Sequence, residues 1–368
     1  MLRPIIAATF IALGTQATGQ VATSAGGVAM EPVLTGLDAP WGFGFLPGGQ
    51  VIITERAGRL LLLTPGAGAQ EVRGAPDVVA RGQGGLLDVL VPRDFAESRE
   101  LFFTYAKAQG MRGSNTAVAK ARLSDDGTAL EGRETIFEAA RGASGGRHFG
   151  ARLVEARDGT LYLTIGDRGD RPSAQDLGIE NGSVVRITRD GAIPSDNPFL
   201  DTGGARPGIW SYGHRNPQGM AMDARGNIWT VEHGAAGGDE INLVERGANY
   251  GWPVISYGRH YSGLPIGEGT EQEGMEQPAF YWDPSIAPSG MMIYGGDMFP
   301  DWRGDIFVGS LKFDMISRLE AGGAVTEAER IASDETLRVR DIREAPDGAI
   351  WFLSVGQGAL YRMSAATS

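Results

Sequence analysis

"RDGTLYLTIGD" occupies residues 157–167. A polar turn with Gly159 at its centre leads directly into a short run of apolar, aromatic and β-branched residues, which is the signature of a hairpin turn followed by a strand. The pattern recurs in "PGGQVIITE" (47–55), "ESRELFFTYA" (97–106), "ARGNIWTVEHG" (224–234), "WRGDIFVGSLK" (302–312) and "PDGAIWFLSV" (346–355). Most of the six are preceded by another strand-like run, such as "WGFGFLP", "LLDVLVP", "ARLVEA", "GMAMDA" or "VRDIREAP". Many are followed by a third, such as "RLLLL", "SVVRIT", "MISRLE" or "ALYRMS". Self-similar units of about 40–70 residues indicate radial repetition. The reading is an all-β, six-bladed β-propeller, whose ring closure also protects the sheet edges. A sandwich would not account for six similar hairpins.

The composition agrees with one turn-rich domain. The chain has 368 residues, 56 of them glycine, and no collagen-like period. The formal charge of −12 argues against a nucleic-acid or anionic-membrane surface, so functional basic residues should be few and local. There is no cysteine, hence no disulfide. Residues 1–19, "MLRPIIAATFIALGTQATG", place Arg3 before an apolar run and then small residues, the pattern of a secretory signal peptide. The expectation is a periplasmic or secreted protein with a single catalytic propeller over 20–368 and no membrane span.

The repeat supplies coordinates, because residues either side of a hairpin turn lie beside one another. The turn glycines are Gly159, Gly226, Gly304 and Gly348, and eight residues downstream stand Asp167, Gly234, Lys312 and Gly356. Eleven residues upstream of Gly159 and Gly226 stand His148 and Arg215, and Arg338 and Arg340 precede Gly348 by ten and eight. All fall at the hairpin end away from the turn, which in a propeller is one face around the central channel.

His148 and Asp167 share one hairpin end. A carboxylate beside an imidazole suits a general base, or equally a structural hydrogen bond. Arg215, Lys312, Arg338 and Arg340 come from three blades; their convergence suits a polyanionic ligand, unless each pairs with a local acid. "EHGAAGGDEINL" (232–243) brings the carbonyls of Gly234 and Ala235 near Asp239 and Glu240, an oxygen-rich set that suits Ca²⁺, although a glycine-rich strand exit would look the same. Gln83 in "RGQGGLLDVL" (81–90) either orients a polar ligand or caps its turn. In "SYGHRNPQGM" (211–220) Arg215 should face the channel with Asn216 on the same rim, while His214 points between blades.

Together "GQGGLLDV", "RHFGARL", "LYLTIGDRGD", "SYGHRNPQGMAMD", "GNIWTVEHGAAGGDEINLVERGANYGWP", "PSIAPSG", "GSLK" and "LRVRDIREAPDG" resemble the soluble pyrroloquinoline-quinone (PQQ)-dependent glucose and aldose sugar dehydrogenases, over residues 33–363. The resemblance implies a six-bladed propeller with quinone and Ca²⁺ in a pocket on one face. It implies His148 as catalytic base with Asp167 as its orienting partner. Gln83, Arg215, Asn216, Lys312, Arg338 and Arg340 would hold the quinone, with the Ser285 hydroxyl near it. Gly234 and Ala235 would bind Ca²⁺ through their carbonyls, with Asp239 in the same loop, and Glu240 and Tyr250 would serve a second, structural Ca²⁺ site. The implied reaction is oxidation of an aldose to a lactone, with electrons passed to an external acceptor, by a monomer or weak dimer. His233, Ala235 and Arg147 depart from the Gln, Pro and Asp of the glucose-oxidising members, and the inter-blade loops are shorter. The alternatives are a non-enzymatic secreted binding propeller and a Ca²⁺-dependent propeller lactonase.

Overall fold

The computed structural model describes residues 20–366, so the signal segment read at 1–19 lies outside the described residues. Six antiparallel sheets follow one another along the chain. Blade 1 runs Pro40–Phe45, Val51–Glu55, Leu60–Thr64 and Gly68–Glu71. Blade 2 runs Leu86–Leu90, Glu100–Ala108, Ser114–Leu123 and Leu130–Glu138. Blade 3 runs Leu153–Glu155, Leu161–Ile165, Ser183–Ile187 and Ile209–Ser211. Blade 4 has Pro217–Met222, Ile228–Glu232, Asp239–Leu243 and Phe280–Trp282, and blade 5 has Pro288–Ile293, Ile306–Ser310, Met315–Glu320 and Thr326–Ala332. Blade 6 combines Val339–Glu344, Ile350–Ser354 and Ala359–Ala365 with two strands from the start of the chain, Gly26–Thr35 and Val21–Thr23. Pairing of Val28 with Ala365 closes the ring. The first strand of each blade packs on the first strands of both neighbours, so these six line the axis.

The apolar residues form a cluster at each of the six junctions between blades. Phe43, Val51 and Ile53 of blade 1 meet Leu353 and Leu360 of blade 6, for example, and Phe102 and Val118 of blade 2 meet Leu161 and Leu163 of blade 3. Burial between sheets, not within one central core, therefore supplies the main driving force. Polar links reinforce the junctions. A buried threonine in the second strand of each of blades 1–3 donates to a carbonyl at the inner strand of the next blade. The bonds are Thr54 to Leu87 at 2.5 Å, Thr104 to Ala151 at 2.7 Å and Thr164 to Pro217 at 2.9 Å.

Two further features prepare the rim. The first is a register shift near the entrance of the inner strand in five blades, at Pro40/Gly42, Leu86/Val89, Pro217/Gly219, Pro288/Met291 and Val339/Asp341. Such bulges re-aim side chains at a sheet end. The second is glycine as the third residue of the inner strands "PWGFGF" and "PSGMMI". A β-carbon at Gly42 would come within 2.9 Å of an Asp88 carboxylate oxygen, and one at Gly290 within 2.6 Å of Asp341. The missing side chains admit Asp88 and Asp341 to the axis, where Arg152 bridges them at 3.0 and 2.9 Å.

Candidate active site

The rim face holds a cavity of about 290 Å³ walled by Trp41, Gln83, Phe149, Asn216, Gln218, His233, Arg338 and Arg340, among others. The predicted residues Gln83, Asn216, Arg338 and Arg340 are thus in its wall. His148 adjoins it, between wall residues Gln83 and Phe149. The His148 amide donates to Gln83 Oε1 at 2.6 Å, and His148 has a φ of +55°. A left-handed non-glycine residue is uncommon and is held here by its surroundings.

The His148–Asp167 pair is made as the hairpin register requires. Nδ1 of His148 lies 2.6 Å from Asp167 Oδ1, with the imidazole 12 % exposed and the carboxylate fully buried. Trp252 Nε1 donates to Asp167 Oδ2 at 2.9 Å and the Gly169 amide to Oδ1 at 2.7 Å. Burial alone would raise Asp167, but the bond from His148 and the other donors hold it below the usual carboxylate range. It therefore stays ionised and fixes the proton of His148 on Nδ1, leaving Nε2 with a free lone pair. Burial first, and then the charges of Arg215 and Arg147, lower the His148 pKa against the opposing pull of Asp167.

The four predicted cations have no carboxylate within 4 Å among the described residues. Arg340 is 8 % exposed, donates to Gln218 Oε1 at 2.6 Å and lies over Trp41, yet its buried Nε has no partner. Burial, then the charge of Arg152, pushes its pKa down to about 9. Arg215, also buried, donates to the His233 carbonyl at 3.1 Å and stacks on Trp252, and its Nε likewise lacks a partner. Arg338 donates to the Leu311 carbonyl at 2.9 Å. Lys312 is exposed, beside wall residue Leu311 and not itself in the wall. His233, between Arg215 and Arg340, is pushed down to about 3 by burial and then by those charges, so it is neutral. It pairs with the Pro288 carbonyl through Nε2 at 2.7 Å.

Asn216 accepts from the Gly150 amide at 3.2 Å and from Gln218 Nε2 at 3.0 Å. The line Gly150–Asn216–Gln218–Arg340 thus couples the loop of His148 to the buried cation. His214 points away, as expected, and bridges blades: it pairs with Ser211 at 3.0 Å and Glu232 at 2.8 Å.

The predicted metal residues divide. No hydrogen bond reaches the Gly234 carbonyl among the described residues, and a β-carbon at Gly234 would collide with the Gly237 and Gly238 carbonyls. Ala235 is the next residue in this turn. Asp239 is committed elsewhere: it accepts from the Gly234 and Ala287 amides and from Ser285. It buttresses the turn, and the Ser285 hydroxyl serves Asp239, outside the cavity wall. Glu240, Glu232, Tyr250 and Arg215 are among the residues lining a separate void of about 10 Å³, room for one water-sized particle, so Arg215 faces this void and is not in the wall of the larger cavity. Burial, then Glu232, raises Glu240; among the described residues no Lys or Arg side chain lies within 4 Å of either carboxylate, although Glu232 Oε2 accepts from the Arg215 backbone amide at 2.6 Å. The Tyr250 hydroxyl donates to the Leu243 carbonyl and accepts from the Glu245 amide at 2.8 Å, and no backbone hydrogen bond reaches the Tyr250 carbonyl among the described residues. Among the described residues no three His, Asp or Glu side chains converge as a metal cluster.

Sequence reasoning missed Trp252, which orients Asp167, and Gln218, which anchors Arg340. Both lie inside quoted motifs, "NYGWP" and "GHRNPQG", but their residue types announce no chemistry.

Residues 37–362 match the family model described as glucose/sorbosone dehydrogenase. The chain is 44 % identical over 344 residues to aldose sugar dehydrogenase YliI of Escherichia coli, covering 92 % of this chain and 93 % of that protein. The apo crystal structure of the soluble aldose sugar dehydrogenase from E. coli superposes with a TM-score of 0.88 at 42 % identity, covering 92 % of this chain and 99 % of that one. The PQQ-bound aldose sugar dehydrogenase of Streptomyces coelicolor superposes with a TM-score of 0.75 at 25 % identity, covering 94 % and 99 %.

Proposed function

The chain belongs to the glucose/sorbosone dehydrogenase family, and we propose that it is an exported, PQQ- and Ca²⁺-dependent aldose dehydrogenase that passes electrons to an external acceptor. The observation that carries this reading is a cavity that adjoins a His–Asp pair and has Arg338 and Arg340, without carboxylate partners, in its wall, with Arg215 and Lys312 each next in sequence to a wall residue. Buried guanidinium groups with orphaned Nε atoms are costly unless an anion arrives, and a planar tricarboxylate is such an anion.

The residues present fit both groups. Arg340, Arg338, Arg215 and Lys312 would hold the carboxylates. Gln83, whose Oε1 is taken by His148, and Asn216, whose Oδ1 is taken by Gly150 and Gln218, would each offer an amide N–H. The free carbonyl of Gly234, with that of Ala235, is the hard-oxygen donor type that Ca²⁺ takes, and the carboxylates of Glu240 and Glu232 suit a second, structural cation. When bound, the quinone supplies a two-electron acceptor and Ca²⁺ the Lewis acid that sharpens it. Nε2 of His148 takes the proton of the anomeric hydroxyl as hydride leaves the anomeric carbon, giving a lactone. Asp167 stabilises the imidazolium that forms, and Trp252 keeps Asp167 in place.

Apo protein reconstituted with PQQ and Ca²⁺ should reduce a dye in the presence of aldoses; silence across an aldose panel, with quinone binding verified, would refute the reading. Exhaustive chelation should abolish that activity and lower the melting temperature, and Ca²⁺ should restore both. Full activity at near-zero metal content would exclude the metal. Arg215→Ala should weaken quinone binding by about 1.5–3 kcal/mol, the scale of a hydrogen bond to a charged group. Titration of apo protein by fluorescence checks it, and equal affinity would assign Arg215 to the fold alone.

A further inference from the structure

Positive charge at this face extends beyond the cavity. Arg147, exposed and directly before His148, lies against the turn after Asp167. A β-carbon at Gly169 would sit 3.0–3.2 Å from the Arg147 Cδ, Cγ and Nε. Arg171 is half-buried, its guanidinium carbon 5.3 Å from the Trp252 ring centre. Its Nη1 donates to His260 Nδ1 at 3.1 Å, which requires that nitrogen to be unprotonated. Trp252 also bonds Asp167, so Arg171 is one ring removed from the catalytic pair.

Neither arginine has a carboxylate within 4 Å among the described residues. Exposed Asp170, between them in sequence, makes no ion pair at that distance, and Asp167 is already committed on both oxygens. A chain of net charge −12 with abundant acids elsewhere thus leaves two arginines uncompensated beside its base. Arg171 is partly desolvated and its planar group is held by a ring and a neutral histidine, an arrangement suited to bidentate recognition of a planar or tetrahedral anion. Both arginines adjoin the His148–Asp167 pair, Arg147 as the residue before His148 and Arg171 across the Trp252 ring, which favours a group on the substrate over a docking protein.

Resting on the aldose-oxidation reading, we infer that Arg147 and Arg171 form a subsite for a carboxylate or phosphate carried by the sugar, so that anionic aldoses are preferred over their neutral counterparts. The test uses holoenzyme without any electron acceptor, following single-turnover reduction of the bound quinone by absorbance, so that acceptor docking does not enter. Two matched pairs are compared, glucose with glucose 6-phosphate and galactose with galacturonate, which separates phosphate from carboxylate as the anion. In at least one pair the second-order rate constant should favour the charged sugar by about tenfold to a hundredfold, the worth of one such charged contact. That preference should shrink as salt rises from about 20 to about 200 mM. It should collapse in Arg171→Gln and in Arg147→Gln, and Arg171→Lys should retain part of it, which distinguishes recognition from a merely structural role. Equal rates within both pairs, or a preference that survives in the double Gln variant, would overturn the subsite. If no sugar of either charge reduces bound quinone, the reaction reading itself fails and the subsite falls with it.

Discussion

His148→Ala should lower kcat by about 10²–10⁴, the range for loss of a general base, while the affinity for PQQ stays close to wild type. The separation follows from the geometry. The quinone-holding candidates reach the cavity from Arg340, Arg338 and Asn216, whereas the imidazole is at its edge and is bonded to Asp167 at 2.6 Å. His148→Ala removes the Nε2 lone pair but leaves the Gln83 bond to the backbone amide intact. Single-turnover quinone reduction and an equilibrium titration read the two quantities independently. A loss below about tenfold would make the pair structural and require another proton acceptor.

The pH profile gives a second reading of the same residue. The base works only when deprotonated, so activity falls as pH drops through its pKa. Burial first, then Arg215 and Arg147, set that pKa below 6.5 in spite of Asp167. The acidic limb of kcat/KM should therefore lie below pH 6.5. Asp167→Asn should remove the partner that raises the imidazole and move the limb lower still. A limb above 6.5 would mean that the Asp167 interaction outweighs burial.

How much of this was legible in the sequence depends on range. The hairpins were legible because a tight turn fixes register within a few residues, and that is why counting from Gly159 brought His148 and Asp167 together. The same counting placed Lys312 on the correct face but could not tell that its side chain would end exposed. Closure of blade 6 was not legible: "GGVAMEPVLT" pairs with residues at the opposite end of the chain, and nothing local marks that partner. The bulges were also hidden, and the shift at Pro217/Gly219 falls inside the count from Gly226 by which Arg215 was placed. Ser285 was placed near the ligand by the resemblance, and Asp239 by its position in the glycine-rich loop together with the resemblance. Their oxygens proved to be satisfied by each other and by loop amides, a competition that only three-dimensional proximity reveals.

The largest stability effect should come from the axis, below the site. Arg152→Met should destabilise the fold by about 3–5 kcal/mol, the cost of breaking a buried ion network by removing one partner. Arg152 is 4 % exposed at its side chain and bridges Asp88 at 3.0 Å and Asp341 at 2.9 Å, whose own side chains are 0 % and 2 % exposed. Its Nε also donates to the Gln218 carbonyl at 3.2 Å. Without it, the two carboxylates share only Arg343, at 2.6 and 3.0 Å, and that arginine is already nearer solvent. Arg152→Lys should recover only part of the loss, because one ammonium cannot reproduce a planar fork between two acids. Denaturant unfolding should register the change as a lower midpoint at constant m-value. The exposed pair Arg122–Asp125 provides the control, since Arg122→Met should cost no more than about 1 kcal/mol. If Arg152→Met matches that control, desolvation of the three charges already cancels their attraction. The network would then owe its presence to the shape of the axis beneath Arg340, and not to stability.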